Sequence, residues 1–165
     1  MDKSKVYLLE NILTDRERKK IVKDVQPLLL SGKEMQKLSP GLEYKPGKRT
    51  FANIQFHPDF RVVQQCIVDK INEYTGLNVG VHKSWIFLTK GKDKFWHTHP
   101  AADWAAVYYI RTLPFFNNGT LFRSGLVKAP QNSVIIFPSH LEHTAPTFPF
   151  RFNRYTWGMD LTVSV

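Results

Sequence analysis

The sequence predicts an α+β protein in which two helices precede a β-sandwich or jelly roll. Two helical patterns fall in the first 80 residues, and from Val81 onward the apolar residues follow the shorter period of strands. Short strands that follow a group of helices are typical of a sheet covered by helices. A length of 165 residues fits one domain, and we expect helical support over about 1–80 and a β-rich core over about 81–165.

The N-terminal part contains a strand pattern and a helix start. Residues 5–9 are predicted to form an edge or cover strand. Thr14 and Glu17 have the spacing of a capping box, so a helix is predicted to begin at Asp15. Pro27 is expected to kink this helix or to end it early.

Residues 31–50 are predicted to form a surface loop, because glycine and proline recur in a polar stretch. The second helix is predicted to begin at Pro58 and to stop at Gly76. Its apolar face consists of residues at helical spacing: Val63, Ile67, Ile71 and Tyr74.

The remainder of the chain is predicted to form strands. Residues 91–93 and 117–119 have turn composition and separate some of the apolar runs. The predicted strands are 83–89, 94–99, 105–111, 120–123, 133–137 and 154–163.

Composition excludes several classes of protein. No apolar run approaches the roughly 20 residues that span a membrane, and the N-terminus lacks a signal-peptide apolar region, so we expect a cytoplasmic protein with no membrane partner. Cys66 is the single cysteine, which excludes a disulfide framework or a thiolate zinc site built from one chain. Any metal must therefore be held by His, Asp or Glu.

The charge of the chain is strongly positive, at +9. Residues 1–95 carry 18 basic and 11 acidic groups, whereas residues 96–165 carry 5 and 3. Because acidic groups are interspersed and aromatic residues are not interleaved with the basic ones, we interpret this excess as a solvated surface. An acidic protein or a nucleic acid stays open as a partner.

Histidines form two clusters in the β-rich part. His97 and His99 are separated by one residue, so on a strand both rings project from the same face. A third ligand must come from elsewhere, and residues 138–143, which include His140 and His143, follow an apolar strand at a suitable distance. Imidazoles that converge from two strands suit iron, zinc or copper. The alternative is that these are surface histidines or a hydrogen-bonded core pair.

Arg154 lies eleven residues after His143, on a predicted strand rich in aromatic residues. A guanidinium there is costly unless an anion meets it, and a carboxylate is its natural bidentate partner. Arg151, in the preceding turn, is a weaker candidate. The alternative is an exposed arginine that closes the sheet.

The order of these motifs resembles that of the iron(II)- and 2-oxoglutarate-dependent oxygenases. The resemblance is closest to small bacterial and phage-type members with an H-x-H-P…V-Y-Y signature, and it covers about residues 80–163. The residues that carry it are His97-x-His99-Pro100, Val107-Tyr108-Tyr109-Ile110, Asn132-x-Val134-Ile135-Ile136-Phe137-Pro138-Ser139-x-x-x-His143 and Arg154-x-Thr156.

The resemblance implies a double-stranded β-helix, a form of jelly roll, with iron held by His97, His99 and His143. Position 99 departs from the family pattern, which usually has Asp or Glu there. Asp103 is the alternative third ligand, because H-x-H-x-x-x-D also resembles the first cupin motif. We favour His99, because Pro100 has no N–H and disfavours continuation of a paired strand as far as Asp103.

The resemblance also implies 2-oxoglutarate as a small-molecule cosubstrate, with its distal carboxylate on Arg154 and with Thr156 and Tyr109 as hydrogen-bond partners. The implied activity is an iron dioxygenase that converts 2-oxoglutarate to succinate and hydroxylates a second substrate, which is a peptide, a nucleobase or a small molecule. Two alternatives stay open. One is a cupin-like metal-binding protein without 2-oxoglutarate chemistry, and the other is a metal-free jelly-roll binding module.

Overall fold

The computed structural model of the chain describes residues 5–114, 118–149 and 151–164. Within these residues, three α-helices accompany ten β-strands in two sheets, which confirms the predicted α+β jelly roll. The helices are α1 (Asp15–Val25), α2 (Gly32–Leu38) and α3 (Pro58–Thr75). The strands are β1 (Tyr7–Leu9), β2 (Leu30–Ser31), β3 (Lys48–Arg49), β4 (Val79–Lys90), β5 (Trp104–Arg111), β6 (Gly119–Phe122), β7 (Gly125–Lys128), β8 (Val134–Pro138), β9 (His143–Thr144) and β10 (Asn153–Val163).

The larger sheet contains seven strands in the order β1-β8-β5-β10-β4-β3-β2, and the smaller sheet has the order β7-β6-β9. All strand pairs of the described residues are antiparallel. β10 is central and pairs along most of its length with β4 on one side and β5 on the other. The strand therefore anchors the larger sheet and the site that lies against it.

Alternation along β10 divides its residues between two environments. One set packs with α1 and α3 in the main apolar core, and the other faces the space between the two sheets. The core set is Tyr155, Trp157, Met159 and Leu161. The inward set is Arg154, Thr156, Gly158 and Asp160.

The first helix agrees with its sequence signals. The Thr14 hydroxyl accepts a hydrogen bond from the Glu17 N–H, and the Glu17 carboxylate accepts one from the Thr14 N–H. α1 ends at Val25, where a 3₁₀ turn that contains Pro27 takes over. The capping box and the early end are both confirmed.

The second predicted helix corresponds to α3, which begins at Pro58 as expected. Gly76 follows it with φ 69°, in the left-handed conformation that glycine tolerates. Ile67 and Ile71 are buried on the core face. Tyr74 is 58% exposed, so it does not belong to the buried apolar face that the sequence predicts for this helix.

The prediction of a surface loop over 31–50 is wrong in part, because α2 and the strands β2 and β3 lie there. Ser31 caps α2 through a second capping box with Glu34. β3 pairs with β4, which extends the larger sheet and brings Lys45 and Pro46 to the space between the sheets. Two-residue strands acquire their structure from distant partners, so they leave no local periodicity.

Most of the predicted strands are present in the structure, and one is not. Five correspond to β4, β5, β6, β8 and β10, and the edge strand near the N-terminus corresponds to β1. The strand predicted at 94–99 is wrong, because this segment pairs only through a single bridge between His97 and His143. β7 and β9 were not predicted. Residue 117 of the predicted turn lies outside the described residues.

Among the helices of the described residues, none combines the length and the apolar character that crossing a membrane requires.

Candidate metal centre

Three histidine side chains meet between the two sheets. His143 begins β9 in the smaller sheet, while His97 and His99 lie between β4 and β5. The His97 N–H donates to the His143 carbonyl at 3.1 Å, the reverse bond is 3.0 Å, and the His99 N–H donates to the Ser139 carbonyl at 2.9 Å. One ring nitrogen from each histidine lies within 4.8 Å of the others. Backbone pairing therefore fixes the three rings around one point.

Two of the rings are oriented by backbone carbonyls. Nδ1 of His97 lies 3.0 Å from the Phe95 carbonyl oxygen, and Nδ1 of His143 lies 2.9 Å from that of Leu141. Because a carbonyl oxygen can only accept, each ring donates from Nδ1 and keeps a lone pair on Nε2. Histidines that bind metals typically have their second nitrogen held in this way.

The third ring, His99, is flanked by a carboxylate. Its Nδ1 lies 2.7 Å from a carboxylate oxygen of Asp160, and its Nε2 lies 3.2 Å from Nε2 of His143. When Nδ1 of His99 carries its hydrogen toward Asp160, Nε2 presents a lone pair to the shared point, as it does in the other two rings. Converging lone pairs repel one another unless a cation lies between them, so the cluster is suited to a metal ion.

The protonation of the cluster favours metal binding at neutral pH. Burial lowers the pKa of His97 to about 4 and that of His143 to about 3, and neighbouring histidines add to both shifts. These two rings are therefore neutral at pH 7. Neutral imidazole is the form that coordinates metals, so no proton has to be displaced from them.

Aromatic side chains enclose the cluster. The Trp85 ring stacks on His99 with centroids 5.5 Å apart, and Phe137 meets His143 edge-to-face at 4.7 Å. Gly158 of β10 makes room for Trp85, because a Cβ at this position would lie 2.8 Å from the indole ring. The three histidines are thus held in a rigid and largely apolar setting.

Arg154 projects into the same cavity and is only 5% exposed. Its Nη2 donates to the Gly119 carbonyl at 2.7 Å, and its guanidinium carbon lies 5.5 Å from the centre of the Tyr109 ring. Among the described residues, its Nε has no hydrogen-bond partner and no carboxylate forms an ion pair with it. A buried cation with a free donor suits an anionic ligand.

The structure brings together most of the site residues predicted from the sequence. His97, His99, His143, Arg154 and Thr156 all line one cavity.

Tyr109 is buried beside this cavity without lining it. Its hydroxyl lies 2.6 Å from Oγ1 of Thr120, which does line the cavity, and burial raises the pKa of Tyr109 to about 12. A direct contact of Tyr109 with a cosubstrate stays a prediction.

The alternative candidates lie elsewhere. The Asp103 carboxylate accepts a hydrogen bond from the Val163 N–H at 2.8 Å and does not join the three-histidine group. Arg151 lines a neighbouring groove, and His140 is exposed.

Sequence reasoning missed three charged residues of the site, of which Asp93 lines the cavity just after β4. Asp160 is an acidic residue in an otherwise apolar part of β10, and alternation from Arg154 and Thr156 would have placed it on the inward face. Lys45 also lines the cavity, with its ammonium 5.1 Å from the centre of the Phe95 ring. Lys45 lies in an irregular segment, and no sequence pattern indicates its position.

Comparison with known proteins gives a result at the level of the fold. No family model matches the sequence, and no curated protein matches it. A solved structure of a prolyl hydroxylase from Trichoplax adhaerens, in complex with a hypoxia inducible factor peptide fragment, is similar with a TM-score of 0.68 at 14% identity, covering 95% of this chain and 83% of that one.

Two further solved structures show the same similarity. HygX from Streptomyces hygroscopicus, with nickel, 2-oxoglutarate and hygromycin B bound, has a TM-score of 0.67 at 7% identity and covers 95% of this chain and 82% of its own. The 2-oxoglutarate complex of a viral collagen prolyl hydroxylase from Paramecium bursaria Chlorella virus-1 has a TM-score of 0.63 at 12% identity, with coverages of 97% and 96%. This chain therefore has the fold of the iron(II)- and 2-oxoglutarate-dependent oxygenases.

Proposed function

We propose that the protein is an iron(II)- and 2-oxoglutarate-dependent dioxygenase that hydroxylates a C–H bond of a second substrate. The observation that supports this most directly is the presence, in one cavity, of ring nitrogens from three histidines and the buried cation Arg154. The fold adds support, because HygX and the viral prolyl hydroxylase carry 2-oxoglutarate in their solved structures.

In this proposal His97, His99 and His143 hold the iron. Imidazole nitrogens suit Fe(II), so these three rings would be able to hold it. When bound, iron and 2-oxoglutarate supply the oxidation, in which 2-oxoglutarate and O₂ yield succinate and CO₂ while one oxygen atom enters the C–H bond.

The other residues of the cavity would bind the cosubstrate and shield the reacting groups from water. Arg154 would hold the distal carboxylate of 2-oxoglutarate by charge-assisted hydrogen bonds, with the Thr156 hydroxyl beside it on the same face of β10. Trp85, Phe87 and Phe95 line the cavity and exclude water from the reacting groups. These residues orient the cosubstrate, while the chemistry belongs to the cofactor.

A metal-binding protein without 2-oxoglutarate chemistry is the second candidate. The observation that favours it is the ligand set, because the candidate ligands are three imidazoles and no carboxylate of the described residues belongs to the group. Non-haem iron oxygenases commonly use two histidines and one carboxylate.

Succinate formation separates the two candidates. The protein is reconstituted with Fe(II) under anaerobic conditions and mixed with 2-oxoglutarate and ascorbate. O₂ is then admitted, and the formation of succinate is measured by NMR. We expect slow turnover without a second substrate, loss of turnover in His143→Ala, and retention in Arg151→Ala. Iron-loaded protein that neither binds nor consumes 2-oxoglutarate would support the second candidate instead.

The second substrate is then sought with the same assay. Peptides, nucleobases and small molecules are added one at a time, and a substrate is identified by faster succinate formation together with a product heavier by one oxygen atom.

A further inference from the structure

We infer that Asp160 is a positioning residue of the metal centre, which orients His99 and supplies through its ring the negative charge that a set of three imidazoles lacks. The inference rests on the proposed function only to the extent that the three histidines bind a metal. It concerns how the ligand set is built and does not depend on which substrate is oxidised.

The position of Asp160 in the fold makes this role specific. It is 7% exposed and lies on the inward face of β10, three strand positions along that face from Arg154. Its Oδ1 lies 2.7 Å from Nδ1 of His99, an ion-pair contact, and has no hydrogen-bond partner among the described residues. No lysine or arginine of the described chain forms an ion pair with it.

A buried carboxylate without a direct ion pair to a lysine or arginine is costly, and the Lys45 ammonium interacts with Asp160 only at longer range, so a further compensating interaction is expected. His99 can provide one when its Nδ1–H faces Asp160 and its Nε2 binds a divalent cation. The carboxylate then partly neutralises the charge of the ion across the ring and makes Nε2 a stronger donor. Among the described residues, Nδ1 of His97 and Nδ1 of His143 each face a neutral carbonyl, so Asp160 is the carboxylate that contacts a ring of the cluster.

The three rings would therefore be unequal ligands. Non-haem Fe(II) sites commonly place a carboxylate directly on the metal, whereas here it lies one imidazole ring away. Such a ligand set should bind divalent ions through a His99 ring that is strongly polarised and held in one tautomer.

The variant Asp160→Asn tests the charge at nearly constant volume. Co(II) serves as the probe, and its d–d absorption is titrated in wild type, in Asp160→Asn and in the control Asp103→Asn. We expect the affinity for Co(II) to fall about 10–100-fold in Asp160→Asn, with shifted d–d bands, and to stay at the wild-type value in the control. Wild-type affinity and unchanged bands in Asp160→Asn would overturn the inference.

A second measurement needs no variant and covers the case in which Asp160→Asn does not fold. Nitrogen-15 NMR of the histidine rings in wild-type protein loaded with Zn(II) should show His99 with a slowly exchanging hydrogen on Nδ1 and with zinc on Nε2. Zinc on Nδ1 of His99, or no binding of Zn(II) and Co(II) at all, would refute it.

The outcomes distinguish this inference from the proposed function. Protein that binds Co(II) in the manner expected but forms no succinate from 2-oxoglutarate would retain the role of Asp160 and lose the oxygenase. Protein that forms succinate with equal efficiency and equal Co(II) affinity in wild type and Asp160→Asn would retain the oxygenase and lose the role of Asp160.

Discussion

Each histidine of the candidate centre has Nδ1 within 3.0 Å of an oxygen atom and offers a ring nitrogen to the shared point. Replacing one of these rings by alanine removes one of three candidate ligands, so it should lower the affinity for the metal. We expect His97→Ala and His143→Ala to lose stoichiometric Fe(II), and Asp103→Ala to retain it, since Asp103 is bound to the Val163 amide. Metal analysis after anaerobic reconstitution checks this. Full iron in His143→Ala, or an empty Asp103→Ala, would contradict the assignment.

Arg154 is expected to act on the cosubstrate and not on the metal. Its loss removes a hydrogen bond between charged groups, which contributes about 1.5–3 kcal/mol, so the affinity of Arg154→Ala for 2-oxoglutarate should fall by about one to two decades. Calorimetry on Ni(II)-loaded protein measures the change. Arg151→Ala is the matched control, because Arg151 lines the neighbouring groove. Equal affinities in the two variants would dismiss Arg154 as the anchor.

At the scale of residues, spacing pointed to the residues that lie together in the cavity. His97 and His99 approach the same point, although the strand from which their common face was derived is only a single bridge, and Arg154 is an unusual charge among aromatic residues. The role of Asp160 is not predicted, because its partner His99 lies 61 residues earlier in the chain. A single acidic residue in a strand is also common for purely structural reasons. The pairing of β10 with β5 brings the two residues within reach, and no local pattern encodes that pairing.

At the scale of elements, β10 depends on Gly158 for the fit of a neighbouring side chain. In Gly158→Ala the new methyl group meets the Trp85 ring, which must move off His99. We expect a loss of about 1–3 kcal/mol in the free energy of unfolding, measured with urea, together with weaker Co(II) binding. Gly80→Ala on β4 is the control, since a Cβ there meets no atom within 4 Å. Equal stability of the two variants would show that Trp85 can adapt.

The elements themselves were predicted well where capping signals and long apolar patterns coincide, as in α1 and α3. The segment 94–99 was predicted as a strand because its composition suits one, but its backbone pairs with β9 only at the bridge between His97 and His143. α2 was missed because the glycine and proline residues around it indicated a loop, and the Ser31–Glu34 capping box that begins it was overlooked. Propensity thus locates long elements, while short ones depend on their neighbours.

At the scale of the whole molecule, the candidate ligands join parts of the chain that separate on unfolding. His143 belongs to the smaller sheet, and His97 and His99 precede β5 of the larger one. A metal bound only by the folded state at about 100 times its Kd adds about 2.7 kcal/mol to stability. For a chain of this size we expect Co(II) to raise Tm by about 5–10 °C. The rise should vanish in His143→Ala, and an equal rise there would place the bound metal elsewhere.

The alternation along β10 has a consequence for how this protein can change over evolutionary time. A one-residue insertion at the start of the strand would reverse the face of every following residue. Arg154 and Asp160 would then point toward the apolar core, and Trp157 would point toward the cavity. Substitutions on one face leave the other untouched, but a change of chain length alters both together. The strand can therefore acquire a new ligand preference by point mutation, whereas insertions and deletions should be confined to the loops at its ends.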